Sequence, residues 1–465
     1  MVKFAPRFFA SCLTLVLFLS PGAGARQAAP TLVDPVSLAH QNIMFGSEEE
    51  RDGAVDYLKG LGNLDAIPTL LLALRLGRHG SAQYISAFEA ITGHEVNDWF
   101  EAALWLEDHP EATPHPSYRA IKLQVYEQID ENFRRFLGGD LSRPENMKIR
   151  LEEIYWGGVK VDGIPPLDNP PMVAADGADY LLDDDLVFGI EINGDARAYP
   201  LRIMGWHEMF NDVIGGVPVA LAYCTLCGSG ILYDTTVEGR GEPFIFSTSG
   251  LLYRSNKLMY DRQTDSLWNQ FTGQPVSGAL RNSGIELKIR PMAITTWADW
   301  RERHAGTRVL DIDTGHWRDY GSGVVYRDYF ASDDLMFPAR VRDEENLKKK
   351  DYVFGMRSFS VAKAWPLSAF EEGAVINDML GDQNVVLVGN AAGRTVRAYQ
   401  RGAEIFSQGA NAETLRGKDG SWQVTEEALL GPGGQKLPRL PGHIAYWFAW
   451  ENYFGGATLS REGGG

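Results

Sequence analysis

The sequence is poor in cysteine and in positive charge, and each shortage excludes a class of protein. Three cysteines in 465 residues exclude a small scaffold held together by disulfides. Lysine and arginine number 44 against 61 aspartate and glutamate residues, which gives a formal net charge of −17. Because this charge repels polyanions, we expect no nucleic-acid partner and no binding to anionic membrane surfaces.

The first 25 residues have the pattern of a secretory signal. Lys3 and Arg7 provide the positive start, residues 8–20 are apolar, and residues 23–25 are the small Ala-Gly-Ala of a cleavage site. A membrane anchor is the alternative, but the apolar run is short for a bilayer core of about 30 Å. No later apolar run approaches roughly 18 uninterrupted residues. We therefore expect an exported chain, periplasmic or extracellular, with no stable membrane span after signal removal.

Helix signals fill the region from about residue 50 to residue 140. Asp65 is placed to cap a helix with Pro68 in its first turn, and another helix is expected over residues 117–137. Residues 157–180 are rich in Gly, Pro and Asp, which is typical of an irregular covering loop. The predicted organisation is a signal at 1–25, a helical-repeat-like domain at 26–145, a linker or covering loop at 146–184, and two β-rich regions at 185–345 and 346–465.

The two β-rich regions share a sequence pattern at a fixed offset. Three strings of the first region recur 166 positions later in the second, namely Val187-Phe188-Gly189, Pro200-Leu201 and Asn211-Asp212. A Trp-x-x-Trp pair also occurs in both regions, starting at Trp297 and at Trp447. Such self-similarity predicts an internal duplication. The predicted fold class is α+β, with a small all-α domain followed by an internally duplicated, β-rich domain pair.

Four chemically capable side chains occur in the first β-rich region only. At the offset of 166 positions, the counterparts of His207, Glu208, Cys224 and Cys227 are Gly373, Ala374, Asn390 and Gly393. A shared fold is enough to explain the residues that both regions keep. It does not explain residues that occur in one region only, so these are the better candidates for a functional site. We therefore expect a site in the first region and a structural role for the degenerate second region.

The two cysteines of the mature chain form a Cys224-Thr225-Leu226-Cys227-Gly motif after an apolar strand predicted over residues 217–223. A turn of this kind aims both sulfurs at one point, as in a metal knuckle, but the sequence has no second C-x-x-C. His207 is the leading candidate to complete the site, at the edge of the apolar face of a helix expected over residues 201–214. Glu208 follows as a fourth ligand or proton-transfer group.

Three interpretations of the cysteine pair are open. A disulfide across so short a ring stabilises the fold by only roughly 2 kcal/mol. One transition-metal ion, copper or zinc, contributes on the order of 10 kcal/mol and explains why a histidine is lost together with the thiols. A redox dithiol is the third interpretation, because C-x-x-C suits it equally well. The predicted metal ligands are Cys224, Cys227 and His207, and the predicted catalytic residue is Glu208.

Four longer strings resemble one known family. They are Trp-His-Glu-Met-Phe-Asn-Asp at 206–212, Tyr-Cys-Thr-Leu-Cys at 223–227, Ser-Gly-Leu-Leu-Tyr at 249–253 and Met-Tyr-Asp-Arg-Gln-Thr-Asp-Ser-Leu-Trp at 259–268. Together they are similar to an exported prokaryotic family catalogued as a domain of unknown function, number three-one-seven-nine. The resemblance covers about residues 185–460 and implies export and the extent of the domain, without an activity. Thr225 stands where the family pattern has proline, which affects only the rigidity of the turn.

Three classes of function are compatible with these observations. The first is an exported metal-binding protein that, if it is an enzyme, is a metal-dependent oxidoreductase. The second is a thiol–disulfide oxidoreductase in which Cys224 attacks, because it precedes the turn. The third is a non-catalytic binding or scaffold module that presents a surface through its helical domain. The expected partner is an unidentified small molecule or an exported protein.

Overall fold

The computed structural model describes residues 34–77, 80–358, 361–454 and 458–460, and the predicted signal at 1–25 lies outside them. A helical region comes first along the chain and β-rich sheets follow, as the sequence predicts. None of the helices in these ranges is both long and apolar enough to cross a membrane.

Seven α-helices lie in the described part of residues 34–137. They are α1 Pro35–Phe45, α2 Glu48–Leu61, α3 Ile67–Leu76, α4 Ser81–Thr92, α5 Trp99–Asp108, α6 Tyr118–Ile129 and α7 Arg134–Leu137. Ser47 and Glu50 form a reciprocal capping box at the start of α2, and Asp98 caps α5. The apolar faces of α1–α5 pack into one core around Leu70 and Phe88.

Two of the helix predictions need correction. Asp65 does not cap a helix, because it lies in a short 3₁₀ turn and α3 begins after that turn without a side-chain cap. Pro68 does lie in the first turn of α3, as predicted. The single helix expected over residues 117–137 is divided at Asp130, whose side chain caps a 3₁₀ turn. Aspartate competes with the helical backbone for hydrogen bonds in this way, so the helix stops there.

The β-rich part begins at residue 154 and contains four further helices within the described residues. The first group of strands is β1 Ile154–Trp156, β2 Leu167–Asp168, β3 Met172–Ala174, β4 Leu186–Ile192, β5 Asp195–Pro200, β6 Met209–Ile214, β7 Val217–Cys224, β8 Ser229–Asp234, β9 Phe246–Tyr253, β10 Asn256–Asp261, β11 Leu267–Asn269, β12 Gln274–Pro275, β13 Ile289–Arg290, β14 Ala293–Thr296 and β15 Arg308–Leu310. The second group is β16 Tyr352–Arg357, β17 Ala362–Pro366, β18 Val375–Leu380, β19 Gln383–Asn390, β20 Thr395–Gln400, β21 Ser407–Gln408, β22 Thr414–Gly417, β23 Gly420–Val424, β24 Ala428–Leu430, β25 Lys436–Leu440, β26 His443–Tyr446 and β27 Thr458–Leu459. The helices are α8 Leu201–His207, α9 Trp297–Arg303, α10 Arg327–Ala331 and α11 Trp447–Phe454.

The described strands form five sheets. Their orders are β1-β9-β10-β11-β12, β13-β8-β7-β6-β2, β14-β4-β5-β15-β3, β26-β16-β17-β27 and β18-β19-β20-β25-β24-β23-β22-β21. The covering loop, residues 157–180, contributes β2 and β3 and is otherwise irregular except for a short 3₁₀ turn. A second long segment, residues 311–351, joins the two halves and contains α10; we call it the connecting segment.

The two halves pair their strands in the same register at the offset of 166 positions. The opposing residues are Val187 and Pro200 for β4–β5, Val353 and Pro366 for β16–β17, Met209 and Ala222 for β6–β7, and Val375 and Val388 for β18–β19. In each half a tryptophan of the Trp-x-x-Trp pair covers a strand glycine, Trp300 over Gly189 and Trp450 over Gly355. Both halves therefore use the same pairing, and the duplication itself stays a prediction.

The helix predicted over residues 201–214 is wrong beyond His207. α8 ends there, Glu208 has a left-handed backbone with φ 56°, and the chain continues as β6. β6 pairs with β7 along its whole length, so strand pairing overrides the helical spacing of the apolar residues. Asn211 consequently lies on a strand and not one helical turn from His207.

Candidate functional site

The C-x-x-C motif is the hairpin turn between β7 and β8. β7 confirms the predicted buried strand and ends at Cys224. The backbone N–H of Cys227 donates to the Cys224 carbonyl oxygen at 3.2 Å, which closes the turn. Gly228 follows with φ 58°, and a Cβ atom there would lie 2.9 Å from the ring of Tyr352. The turn therefore requires glycine both for its backbone conformation and for its close packing.

The two thiols are free and buried, but their surroundings differ. The Cys227 sulfur accepts a hydrogen bond from Asn256 Nδ2 at 3.1 Å and donates one to the Ser255 carbonyl oxygen at 3.4 Å. Burial, followed by the hydrogen bond with Cys224, raises the pKa of the Cys227 thiol well above its usual value. Cys227 is thus held as a neutral thiol in contact with Cys224.

Cys224 lines a small cavity of about 40 Å³. This volume has room for about three water-sized groups, since one needs about 10–15 Å³. Glu208, Lys257 and Tyr326 line the same cavity. Ile164 of the covering loop lines the cavity as well, and it is partly exposed, as are the lining residues Gly157, Val159 and Gly250, so the cavity lies near the protein surface. Cys224 therefore lines a small cavity near the protein surface, whereas Cys227 is not among the residues that line it.

A buried ion pair faces this cavity. Lys257 Nζ lies 3.2 Å from Glu208 Oε2, and the two side chains are 5% and 10% exposed. Glu208 Oε1 accepts hydrogen bonds from Thr225 Oγ1 at 2.9 Å and from Tyr326 OH at 3.2 Å. The negative charge of Glu208, and secondly burial, raise the pKa of Tyr326. Thr225, Lys257 and Tyr326, from three different segments of the chain, therefore all bind the carboxylate of Glu208, and the resulting ion pair lines the same cavity as Cys224.

His207 points away from this cluster. Its Nδ1 lies 2.8 Å from the carbonyl oxygen of Pro165 and its Nε2 lies 2.6 Å from Tyr320 OH. Because a carbonyl oxygen only accepts, Nδ1 carries the proton and Nε2 accepts from the tyrosine. Burial lowers the pKa of His207 to about 4, so the ring is neutral at pH 7. Both ring nitrogens are used to link the covering loop to the connecting segment.

The predicted three-ligand metal site is not assembled by these contacts. The structure brings Cys224, Cys227 and Glu208 together and directs the His207 ring elsewhere. Within the described ranges, no group of three or more His, Cys, Asp or Glu side chains is arranged to hold a metal ion. The metal site, with its copper or zinc ion, stays a prediction from the sequence.

A larger cleft lies at the corresponding turn of the second half. Its volume is about 620 Å³. Its lining includes Gly373, Asn390 and Gly393, the residues that stand 166 positions after His207, Cys224 and Cys227. The position that holds a small thiol-lined cavity in the first half thus holds a wide cleft without thiols in the second.

Sequence reasoning missed Lys257 and Tyr326. A lysine in an otherwise buried strand is itself a signal, because lysine is almost never fully buried unless it is paired. Tyr326 lies in the connecting segment, and no local pattern indicates that this segment folds back onto Glu208. Thr225, noted only as a departure from the family pattern, supplies a hydrogen bond to the Glu208 carboxylate.

The fold and the site define a β-rich protein with a buried Cys-x-x-Cys turn next to a Lys–Glu ion pair. The family described as "Protein of unknown function (DUF3179)" matches residues 161–457, more than half of the chain, and the protein belongs to this family. The resemblance inferred from the sequence is confirmed, and the match also includes most of the covering loop. Neither the curated proteins nor the solved structures gave a match.

Proposed function

We propose that this protein is an exported thiol–disulfide oxidoreductase in which Cys224 reacts with the substrate and Cys227 then forms a disulfide with it. The observation that carries the proposal is the difference between the two thiols. Cys224 lines the cavity of Glu208 and Lys257, whereas Cys227 is fully buried. A two-step exchange needs this arrangement, because the first sulfur must reach a ligand and the second must reach only the first sulfur.

The chemistry assigns a role to each group. Cys224 Sγ bonds to one atom of the substrate bond that is reduced, that bond breaks, and its other atom leaves with the Cys224 proton. Cys227 Sγ then bonds to Cys224 Sγ, and the substrate atom held there leaves with the Cys227 proton. Two electrons and two protons pass from the protein to the substrate. Lys257 lines the same cavity as Cys224 and supplies a cationic hydrogen-bond donor there, and Glu208 keeps that ammonium group in place. A closed β-turn holds its first and fourth Cα atoms within about 7 Å, which suits a disulfide.

The test is an equilibrium titration with reduced and oxidised dithiothreitol, followed by acid quenching, alkylation and intact-mass measurement. We expect reversible conversion between a form with two alkylated thiols and a form with a Cys224–Cys227 disulfide. Cys224→Ser and Cys227→Ser each remove the disulfide form and serve as controls. A protein that keeps both thiols reduced at every dithiothreitol ratio and with every other oxidant would show that the proposal is wrong.

Export is supported by the charged start, apolar run and small-residue site of residues 1–25. We expect the mature chain to begin at Arg26. N-terminal sequencing of the protein recovered from the export compartment checks this, and recovery of a chain that keeps residues 1–25 contradicts it.

A further inference from the structure

The cavity at Cys224 is too small for a bulky oxidant. Cys224 is 2% exposed, and the walls of the cavity of about 40 Å³ include Ile164 and the Glu208–Lys257 pair. A disulfide of a folded protein, or oxidised glutathione, cannot bring its sulfur to Cys224 without displacing these side chains. A hydroperoxide with two oxygen atoms fits the space that about three water-sized groups occupy.

The polar groups of the cavity suit a peroxide. Lys257 Nζ has three N–H donors, and the hydrogen bonds recorded for it within the described residues go to Glu208 Oε2 and to the Glu208 carbonyl oxygen, both at 3.2 Å. One N–H therefore remains for a ligand in the cavity. Breaking an O–O bond puts negative charge on the departing oxygen, and a fixed cationic donor stabilises that charge.

We infer that the oxidant taken by this site is hydrogen peroxide or a comparably small hydroperoxide, with Lys257 positioning the departing oxygen. This inference rests on the proposed function and names its substrate class. Cys224 Sγ bonds to one peroxide oxygen, the O–O bond breaks, and the other oxygen takes the thiol proton and leaves as water. Cys227 Sγ then bonds to Cys224 Sγ, and the sulfenic hydroxyl leaves with the Cys227 proton as a second water.

Each turnover therefore reduces one hydrogen peroxide to two water molecules, or one small hydroperoxide to an alcohol and a water molecule, and oxidises the dithiol to the disulfide. Recycling needs two electrons from a small dithiol. Such a dithiol reaches Cys224 only when the covering loop or the connecting segment moves away. The oxidation step is consequently best measured as a single turnover of the pre-reduced protein.

The first experiment compares oxidants on the reduced full-length mature protein, with loss of thiols followed by quenching and intact mass. We expect hydrogen peroxide to form the Cys224–Cys227 disulfide. We expect cumene hydroperoxide to react more slowly by a factor of about 100, the loss that a displacement of the reacting atom by about 1 Å produces. In Cys227→Ser, hydrogen peroxide should add one oxygen atom, and dimedone should trap it on Cys224.

The second experiment removes the size limit without touching the ion pair. Ile164→Ala shortens a partly exposed side chain of the covering loop and should raise the rate with cumene hydroperoxide at least about tenfold relative to hydrogen peroxide. Val213→Ala, at a side chain of β6 that is 45% exposed, is the matched control and should leave both rates unchanged. Lys257→Met should slow the reaction with hydrogen peroxide in the parent protein, in Ile164→Ala and in Val213→Ala.

The outcomes separate the inference from the proposed function. If oxidised glutathione forms the disulfide as fast as hydrogen peroxide does, the substrate class is wrong and the dithiol function stands. Equal rates with the two peroxides in the parent protein, or no change in selectivity in Ile164→Ala, also overturn the inference. If no oxidant and no dithiothreitol ratio produces the disulfide, both the inference and the proposed function are wrong.

Discussion

Replacing Glu208 by glutamine removes the charge partner of a buried ammonium group. Lys257 Nζ lies 3.2 Å from Glu208 Oε2, with the side chains 5% and 10% exposed, so the ammonium group has little contact with bulk water. Removing one partner of a buried ion pair costs about 3–5 kcal/mol, because the other charge stays buried and uncompensated. We therefore expect Glu208→Gln to lower the free energy of unfolding by about 3 kcal/mol or more.

The chain offers a matched control at the same distance. Lys436 Nζ also lies 3.2 Å from Glu427 Oε2, but these side chains are 60% and 46% exposed. Exposed pairs contribute about 0–1 kcal/mol, so Glu427→Gln should lower the free energy of unfolding by no more than that. The two ion pairs have the same length and differ in burial and in the two further hydrogen bonds that Glu208 Oε1 accepts, which glutamine can keep through its amide oxygen.

Urea unfolding followed by tryptophan fluorescence measures both variants. The double variant Glu208→Gln, Lys257→Met leaves no charge buried and should lose less stability than Glu208→Gln alone. Two outcomes would refute the argument from burial. One is an equal loss of unfolding free energy in Glu208→Gln and Glu427→Gln, and the other is a loss in the double variant that exceeds the sum of the losses in its two single variants.

Three further predictions concern packing and pH. A left-handed backbone conformation costs an alanine about 1–2 kcal/mol. Gly228→Ala should lower the free energy of unfolding by more than this, because its Cβ would also lie 2.9 Å from Tyr352. Gly239→Ala, with φ 80° and open space around it, is the control, and in thermal unfolding it should lose only the backbone contribution. Gly189→Ala places a Cβ 2.3 Å from the Trp300 ring and should lower the free energy of unfolding by about 1–3 kcal/mol in urea, whereas an unchanged midpoint would contradict the packing described. Burial, and secondly Arg357, lower the pKa of His443 from 6.5 to about 3, so the unfolded state takes the proton first and stability falls as the pH falls below 6.5. Between pH 6.5 and pH 5 this group should lower the free energy of unfolding by about 1.6 kcal/mol. The difference in urea midpoint between the parent protein and His443→Gln should therefore change over this pH range, and a difference that stays constant would contradict the prediction.

Local sequence patterns predicted the elements that depend on local interactions. β7 is a continuous apolar run that ends at the cysteine motif, and it forms as expected. The apolar residues within 209–214 have helical spacing, but the backbone of this segment pairs with β7. The spacing of apolar residues does not predict which strand a segment pairs with. The helical region was predicted for the same local reason, and its details failed at Asp65, which lies inside a 3₁₀ turn, and at Asp130, whose side chain caps one.

The candidate site was predicted in part for a related reason. The C-x-x-C spacing identified Cys224 and Cys227, and Glu208 was suggested because it follows His207 in the sequence. Lys257 and Tyr326 reach the same cavity from β10 and the connecting segment, which only the folded chain brings near the turn. The absence of a histidine at residue 373 marked His207 as special to the first half, but it did not indicate which partners the ring has.

The two hydrogen bonds of His207 also affect the walls of the cavity at Cys224. They join the carbonyl of Pro165 to the hydroxyl of Tyr320, and so tie together the two irregular segments that supply Ile164 and Tyr326 to the cavity. Where glycine stands at residue 373 no imidazole makes such a link, and the volume there is about 620 Å³ instead of about 40 Å³. A change of length in either segment therefore alters the walls of the cavity, whereas the β7–β8 hairpin that carries Cys224 and Cys227 is held by its own strand pairing.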